Sequence, residues 1–310
     1  EIYFQLFKKN PVEVTAKKYG IDFDDRTKKE VLNDLSKENE NVFPSINPNI
    51  FVGTNGLKLN GEKRIFPLGT VSESITILSN EAGFYPIIKT DEHGFHNPKN
   101  LYVEDKIDLA LIGDSFVEGY SVNSENNISS LLRKSNYETI NLGKASNGPL
   151  IELAILKEYA LPIRPKTVLW FYFAENDMGD LTHELNSDFL KQYLTKKNYS
   201  QKLISKQREI DQSLINFITL QTVNAGISNF QKIKNKALKT IKLDSLRTIF
   251  NLKPNYVQLS TLSEILNLSN RTVQSWGGKF YFIYLPARGH THFLREELID
   301  MVKNLKIPII

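Results

Sequence analysis

The sequence predicts an α/β fold, a parallel, helix-covered sheet preceded by a β-rich segment and interrupted by a helical insertion. Three observations carry that reading. From residue 107 onward, apolar runs of strand length alternate with stretches of helical spacing, the pattern of parallel strands joined by helices. Residues 50–102 instead hold short β-rich runs spaced by Gly53, Gly56, Gly61, Gly69, Gly83 and Gly94, as hairpins or a small sheet would be. Residues from 180 to about 255 are rich in Lys, Gln, Asn, Ile and Leu with apolar residues at helical spacing. The expected organisation is an arm and β-rich segment over 1–103 and an α/β domain over 104–310, with the insertion at about 180–255.

In chain order, residues 1–9 are amphiphilic and read either as the tail of a membrane anchor or as a docked terminal helix. Residues 25–41 have the composition of a solvated helix. The runs 74–78 and 84–88 read as strands, and 91–98, with Gly94 and Pro98, as a turn. Residues 108–112 form the first buried strand and 123–133 a helix. Strands follow at 138–142 and 167–173, with a helix over 149–160 between them. Within the insertion, 203–220 and 230–241 have helical spacing, the second with Lys232, Lys234, Lys236, Lys239 and Lys242 on a basic face. That face reads as solvated, or as a surface for anionic glycans or lipid headgroups. A helix over 260–275, a strand over 279–285, a helix over 291–305 and the start of a strand at 307–310 close the chain.

The bulk numbers bound the function. At 310 residues the chain can bury a sizeable core, and 41% hydrophobic with 24% charged residues is ordinary for a globular protein. A net charge of +4 is too weak to imply nucleic acid. The absence of cysteine removes disulfides, thiolate metal sites and a cysteine nucleophile. No apolar run has the length of a membrane span. The chain opens on Glu1 and closes on the apolar residues 306–310, and both ends read as cuts in a longer protein.

Three strand ends carry the chemistry. The first holds Gly113, Asp114, Ser115 and Phe116: a serine at the carboxyl end of a strand, where open α/β sheets bind their ligands. Its hydroxyl suits a nucleophile, with backbone N–H groups facing the same point. The second is the small-residue stretch 141–149, whose backbone can approach a ligand and which opens a helix at Pro149. The third is Glu175, Asn176 and Asp177, where Asn176 offers a neutral amide donor to a developing oxyanion. Together they outline an acyl-transfer site. Asp114 is read as a structural acceptor of turn N–H groups. His290 and His292 would be a weak metal pair, lacking a third ligand nearby in sequence, and no metal or cofactor is expected. His93 and His96 read as turn hydrogen-bonding residues, or as lining the crevice.

With these blocks the chain resembles the SGNH (GDSL-type) hydrolase superfamily, and more closely the membrane-anchored bacterial members found with surface-polysaccharide genes. Those share a Gly-Phe-x-Asn-Pro motif, here Gly94 to Pro98. The resemblance implies a three-layer α/β/α flavodoxin-like sheet and a serine esterase. By that resemblance Ser115 is the nucleophile, and its N–H, the Ser146 N–H and the Asn176 amide form the oxyanion hole. Ser146 stands where the family usually has glycine. Gly143 and Gly148 are family-like glycines on either side. The family's base, a histidine three residues after an aspartate near the carboxyl end, has no counterpart, because no Asp-x-x-His occurs in the sequence. Three readings account for this: the catalytic loop lies past residue 310, His290 or His292 serves instead, or the chain is catalytically inactive. The expected activity is hydrolysis of a short acyl group, such as O-acetyl, on a glycan or small ester. The alternatives are O-acyl transfer at the same site, or glycan binding and assembly without catalysis. The resemblance also implies a periplasmic or cell-surface location behind a membrane anchor N-terminal to residue 1.

Overall fold

The computed structural model describes residues 12–59, 63–232, 256–286 and 295–310. Its centre is a parallel sheet of four strands: β5 (Leu109–Ile112), β6 (Thr139–Asn141), β7 (Thr167–Phe173) and β8 (Lys279–Leu285), in the spatial order β6-β5-β7-β8. Residues 307–310 continue the sheet beyond β8, since Phe282 bridges Ile309 in parallel and Ile310 N–H donates to Phe282 O at 2.9 Å. In chain order this is 2-1-3-4 with a fifth position beginning, the doubly wound flavodoxin-like arrangement that the sequence predicts. β7 and β8 have the bounds read from the sequence. Long strands of this kind are the easiest elements to read, because six apolar or aromatic residues in a row, as in each of these strands, cannot all sit on a surface.

Helices cover the sheet. α3 (Ser115–Glu118) and α4 (Ile128–Lys134) follow β5, the latter capped by Asn127 Oδ1, which accepts from Ser130 N–H. The expected helix over 123–133 is thus split, with a short 3₁₀ turn at Ser124–Asn126 before the cap. α5 (Pro149–Ile155) continues through a π turn, Leu156–Ala160, to Ile163. α6 (Asp177–Glu184), α7 (Asp188–Thr195) and α8 (Gln207–Lys232) fill the stretch between β7 and β8, and α9 (Tyr256–Gln274) and α10 (Arg295–Asn304) complete the set. Over its described residues the insertion is mainly helical, as predicted. The basic lysines from 234 to 242 and their expected helix over 230–241 lie outside the described residues apart from the end of α8.

Upstream, α1 (Val12–Tyr19) and α2 (Lys28–Leu35) precede two antiparallel pairs: β1 (Leu57–Lys58) with β2 (Arg64–Ile65), and β3 (Ile75–Ile77) with β4 (Ile87–Lys89). The β-rich reading holds as two short ladders joined by irregular chain. One hydrophobic cluster runs from Val31 and Phe51 in this segment, through Ile140 and Trp170 in the sheet, to Ile307. No helix among the described residues is long and apolar enough to cross a membrane.

Candidate active site

Three loops meet at the carboxyl edge of the sheet. Asp114 caps α3, accepting from Phe116 N–H at 2.9 Å. This leaves Ser115 half-buried as the first residue of the helix. Among the described residues, neither the Ser115 hydroxyl nor its backbone N–H has a hydrogen-bond partner. Phe116, beside it, is 49% exposed and lies against Phe173 at the end of β7, with ring centroids 4.6 Å apart.

The turn after β6 is held on nearly every amide. Gly143 N–H donates to Asn141 Oδ1 at 2.9 Å and Lys144 N–H to Gly113 O at 3.2 Å. Ala145 N–H donates to Glu118 Oε2 at 2.8 Å, and Asn147 N–H to Lys144 O at 3.1 Å. Gly148 N–H donates to Glu184 Oε1 at 2.6 Å. Ser146 N–H alone in this run of six has no partner among the described residues. Ser146 sits at φ +63°, in the left-handed region that glycine enters more cheaply. This is the physical reason for a glycine preference at such a position, and the backbone donor survives the serine.

Gly143 and Gly148 allow the close approach. A Cβ on Gly143 would lie 2.6 Å from Val117 Cβ on α3, and one on Gly148 would lie 2.8 Å from Asp180 Cβ on α6. The turn is thereby pressed against the serine helix on one side and the asparagine helix on the other. A buried ion pair fixes the first contact: Lys144 Nζ donates to Glu118 Oε1, with both side chains at 1% exposure or less. Neither residue is singled out by the sequence reading. The one available signal is a lysine amid small uncharged residues.

Asn176 is the residue before α6, and its amide reaches Asp114 Oδ2 at 3.2 Å and Asp180 Oδ2 at 3.1 Å. The structure therefore brings Ser115, Ser146 and Asn176 onto linked loops. It also gives the Asn176 amide two carboxylate partners that the sequence reading does not anticipate.

Those carboxylates belong to a larger group. Asp114, Glu152, Asp177 and Glu184 are all buried, and Asp180 is partly so. Burial pushes Asp114 up, and pushes Glu152 and Asp177 well up with help from their carboxylate neighbours. Both Glu152 oxygens and Asp177 Oδ1 have no hydrogen-bond partner among the described residues. Desolvation and like charge both disfavour ionisation of Glu152 and Asp177. Glu184 accepts from Gly148 N–H at 2.6 Å, Leu150 N–H at 2.9 Å and Ile151 N–H at 3.3 Å, closing the amino end of α5. Burial still dominates there and lifts it to about 8. Among the described residues, no group of three or more His, Cys, Asp or Glu side chains has the geometry to hold a metal ion.

No described histidine bonds to Ser115. His93 Nδ1 is 3.1 Å from Gln207 Oε1, and His96 Nδ1 is 3.0 Å from Glu118 O. Both are buried tertiary hydrogen-bonding residues. His290 and His292 lie outside the described residues.

No protein-family model matches the chain, and no curated protein matches it. Among solved structures it is similar to a protein from Desulfitobacterium hafniense DCB-2 whose description assigns it, provisionally, to the G-D-S-L family of lipolytic proteins. The similarity covers 65% of this chain and 74% of that one, at 15% identity and a TM-score of 0.34. A likeness at that level carries no inference about what this chain does.

Proposed function

We propose that the chain is a serine-dependent acyl-ester hydrolase of SGNH type. The observation that carries this reading is the 143–148 turn, where every amide is committed except that of Ser146, beside a serine whose own N–H is also without a described partner. Fixed, unpartnered N–H donors next to a nucleophile are what stabilises a tetrahedral oxyanion. In the proposed cycle, Ser115 Oγ attacks the ester carbonyl while its proton passes to a histidine. Within this sequence the candidates for that base are His290 and His292. The carbonyl π electrons move to oxygen, held by the Ser115 and Ser146 N–H groups and the Asn176 amide. Collapse expels the alcohol, which takes the histidine's proton. Water then releases the acid from the acyl-serine by the same steps.

The proposed substrate is a short acyl group, such as O-acetyl, on a glycan or small ester. The exposed Phe116 ring against Phe173 supports an apolar contact beside the nucleophile. A sugar hydroxyl in place of water would make the same site an O-acyltransferase. A serine-reactive fluorophosphonate, followed by intact mass and adduct mapping, tests the mechanism. Labelling at Ser115 that disappears in Ser115→Ala is expected, together with loss of turnover. Turnover unchanged in Ser115→Ala would overturn it.

A further inference from the structure

We propose that Asn97 is a positioning residue that holds the 143–148 turn in place by acting as a one-residue substitute for a missing strand. The inference rests on the acyl-transfer reading for its consequence, but not for its geometry.

Among the described residues β6 is the edge of the sheet, paired on one side, with β5. Glu138 O and Leu142 N–H face β5, so the intervening Thr139 and Asn141 turn their backbone groups to the open side. There the Asn97 side chain meets Asn141 as a neighbouring strand would. Asn97 Oδ1 accepts from Asn141 N–H at 2.7 Å and Asn97 Nδ2 donates to Asn141 O at 2.8 Å. The amide's remaining capacity is also used. Nδ2 donates to Asp91 Oδ2 at 2.8 Å, and Oδ1 accepts from Arg133 Nη2 at 2.7 Å. Arg133 Nε donates to Thr139 O at 2.9 Å, covering the next open carbonyl. Two donors and two acceptor sites on one carbon are what an amide has, and all four are satisfied here. Aspartate would lose the donor, and alanine would lose both functions.

The clamp is itself braced. Asp91 also accepts from His93 N–H at 2.8 Å, Phe95 N–H at 2.9 Å and Tyr102 Oη at 2.9 Å. What it grips leads directly to the site. The Asn141 side chain, fully buried, accepts from Gly143 N–H at 2.9 Å and donates to Val117 O on the serine helix at 2.6 Å. One residue thus carries the fixed position of Asn97 to the first amide of the donor turn and to α3. His96, the residue before Asn97, holds the end of α3 through Glu118 O at 3.0 Å.

Simple protection of an exposed sheet edge would use the same contacts, so the test must read the turn itself. Amide hydrogen exchange on the whole chain, with ester turnover on p-nitrophenyl acetate, compares wild type, Asn97→Ala, Asn97→Asp and the swap Asp91→Asn/Asn97→Asp. In folded Asn97→Ala, the Gly143, Lys144 and Ala145 amides are expected to exchange at least tenfold faster while β7 amides do not change. kcat is expected to fall tenfold or more with KM within about twofold. Asn97→Asp sets two carboxylates at hydrogen-bond distance, and the swap restores a donor between them. The swap still leaves the Asn141 carbonyl without its donor, so it should regain only the part of the loss that comes from the carboxylate pair. Unchanged exchange at 143–145 in a folded Asn97→Ala would overturn the proposal. If Asn97→Ala does not fold, unchanged exchange at 143–145 in a folded Asn97→Asp would do so. A wild-type chain that shows no turnover, with exchange at the turn responding as expected, would instead count against the hydrolase reading and leave the clamp standing.

Discussion

Ser146 shows how a single backbone angle separates a required group from a replaceable one. At φ +63° its side chain costs about 1–2 kcal/mol, whereas glycine at the same angle gives back part of that gain as unfolded-chain entropy. Ser146→Gly is therefore expected to leave kcat within a few-fold and to change stability by about 1 kcal/mol or less. A kcat loss of a hundredfold in Ser146→Gly would show that the hydroxyl, not the N–H, is the working group. Asn176 poses the opposite case. Its two amide hydrogens are already engaged by Asp114 and Asp180, so service to an oxyanion requires one of them to be released. With that exchange made in the transition state, Asn176→Ala is expected to lower kcat by roughly 10²–10³ with KM little changed. If the amide only ties the loops together, the variant loses thermal stability while kcat holds, which paired melting and kinetic measurements distinguish.

At the scale of elements, Glu184 does for α5 what a cap does at the surface, but from the interior and from another helix. Glu184→Ala leaves three amides at the start of α5 without their acceptor, and a loss of about 2 kcal/mol or more is expected in denaturant unfolding. The same residue sets a pH dependence. Burial lifts it from the ordinary 4.5 to about 8 in the folded chain, so between those values the folded chain holds a proton that the unfolded chain has released. The contribution is full below 4.5 and is lost as pH rises through about 8. Glu152 and Asp177, also shifted upward by burial, act in the same direction. The melting temperature should fall across this window, and Glu184→Gln, which cannot ionise, should flatten the fall. A melting temperature that climbs through the same window would contradict the assignment.

These elements also show what the sequence could and could not disclose. β7 and β8 are legible because burial on both faces forces an unbroken apolar run. The three candidate site loops are legible because serine, small residues and asparagine each follow a stretch of strand length. The partners of those loops are not legible. Glu118, Lys144 and Glu184 are polar residues without local pattern, and their roles arise only when α3, the 143–148 turn and α6 come within van der Waals distance. The exclusion of histidine from the described site is equally a tertiary fact. His96 has the right chemistry for a base, but its ring is committed to Glu118 O and Ser124 Oγ.

For the whole molecule, the same contacts decide whether the α/β sheet is a unit by itself. The segment before residue 104 supplies Asn97 to the edge of β6 and His96 to α3. It also supplies the Ser72 N–H and hydroxyl that Asp211 accepts on α8, at 2.9 and 2.7 Å. Phe66 exchanges both of its backbone bonds with the Gln201 side chain. Its apolar residues Ile46, Phe51, Phe66 and Phe95 are buried at 1% exposure or less within the cluster that also holds Ile140 and Trp170. Removing the segment would uncover that apolar surface and take from the Asn141 backbone, Asp211 and Gln201 the partners it supplies, and both losses destabilise. A chain starting at residue 104 is therefore expected to lack a cooperative thermal transition by circular dichroism and to bind a hydrophobic dye. A sharp transition in that shortened chain, with exchange protection retained at Gly143 to Ala145, would show that the sheet folds alone and that the amino-terminal segment is an accessory to it.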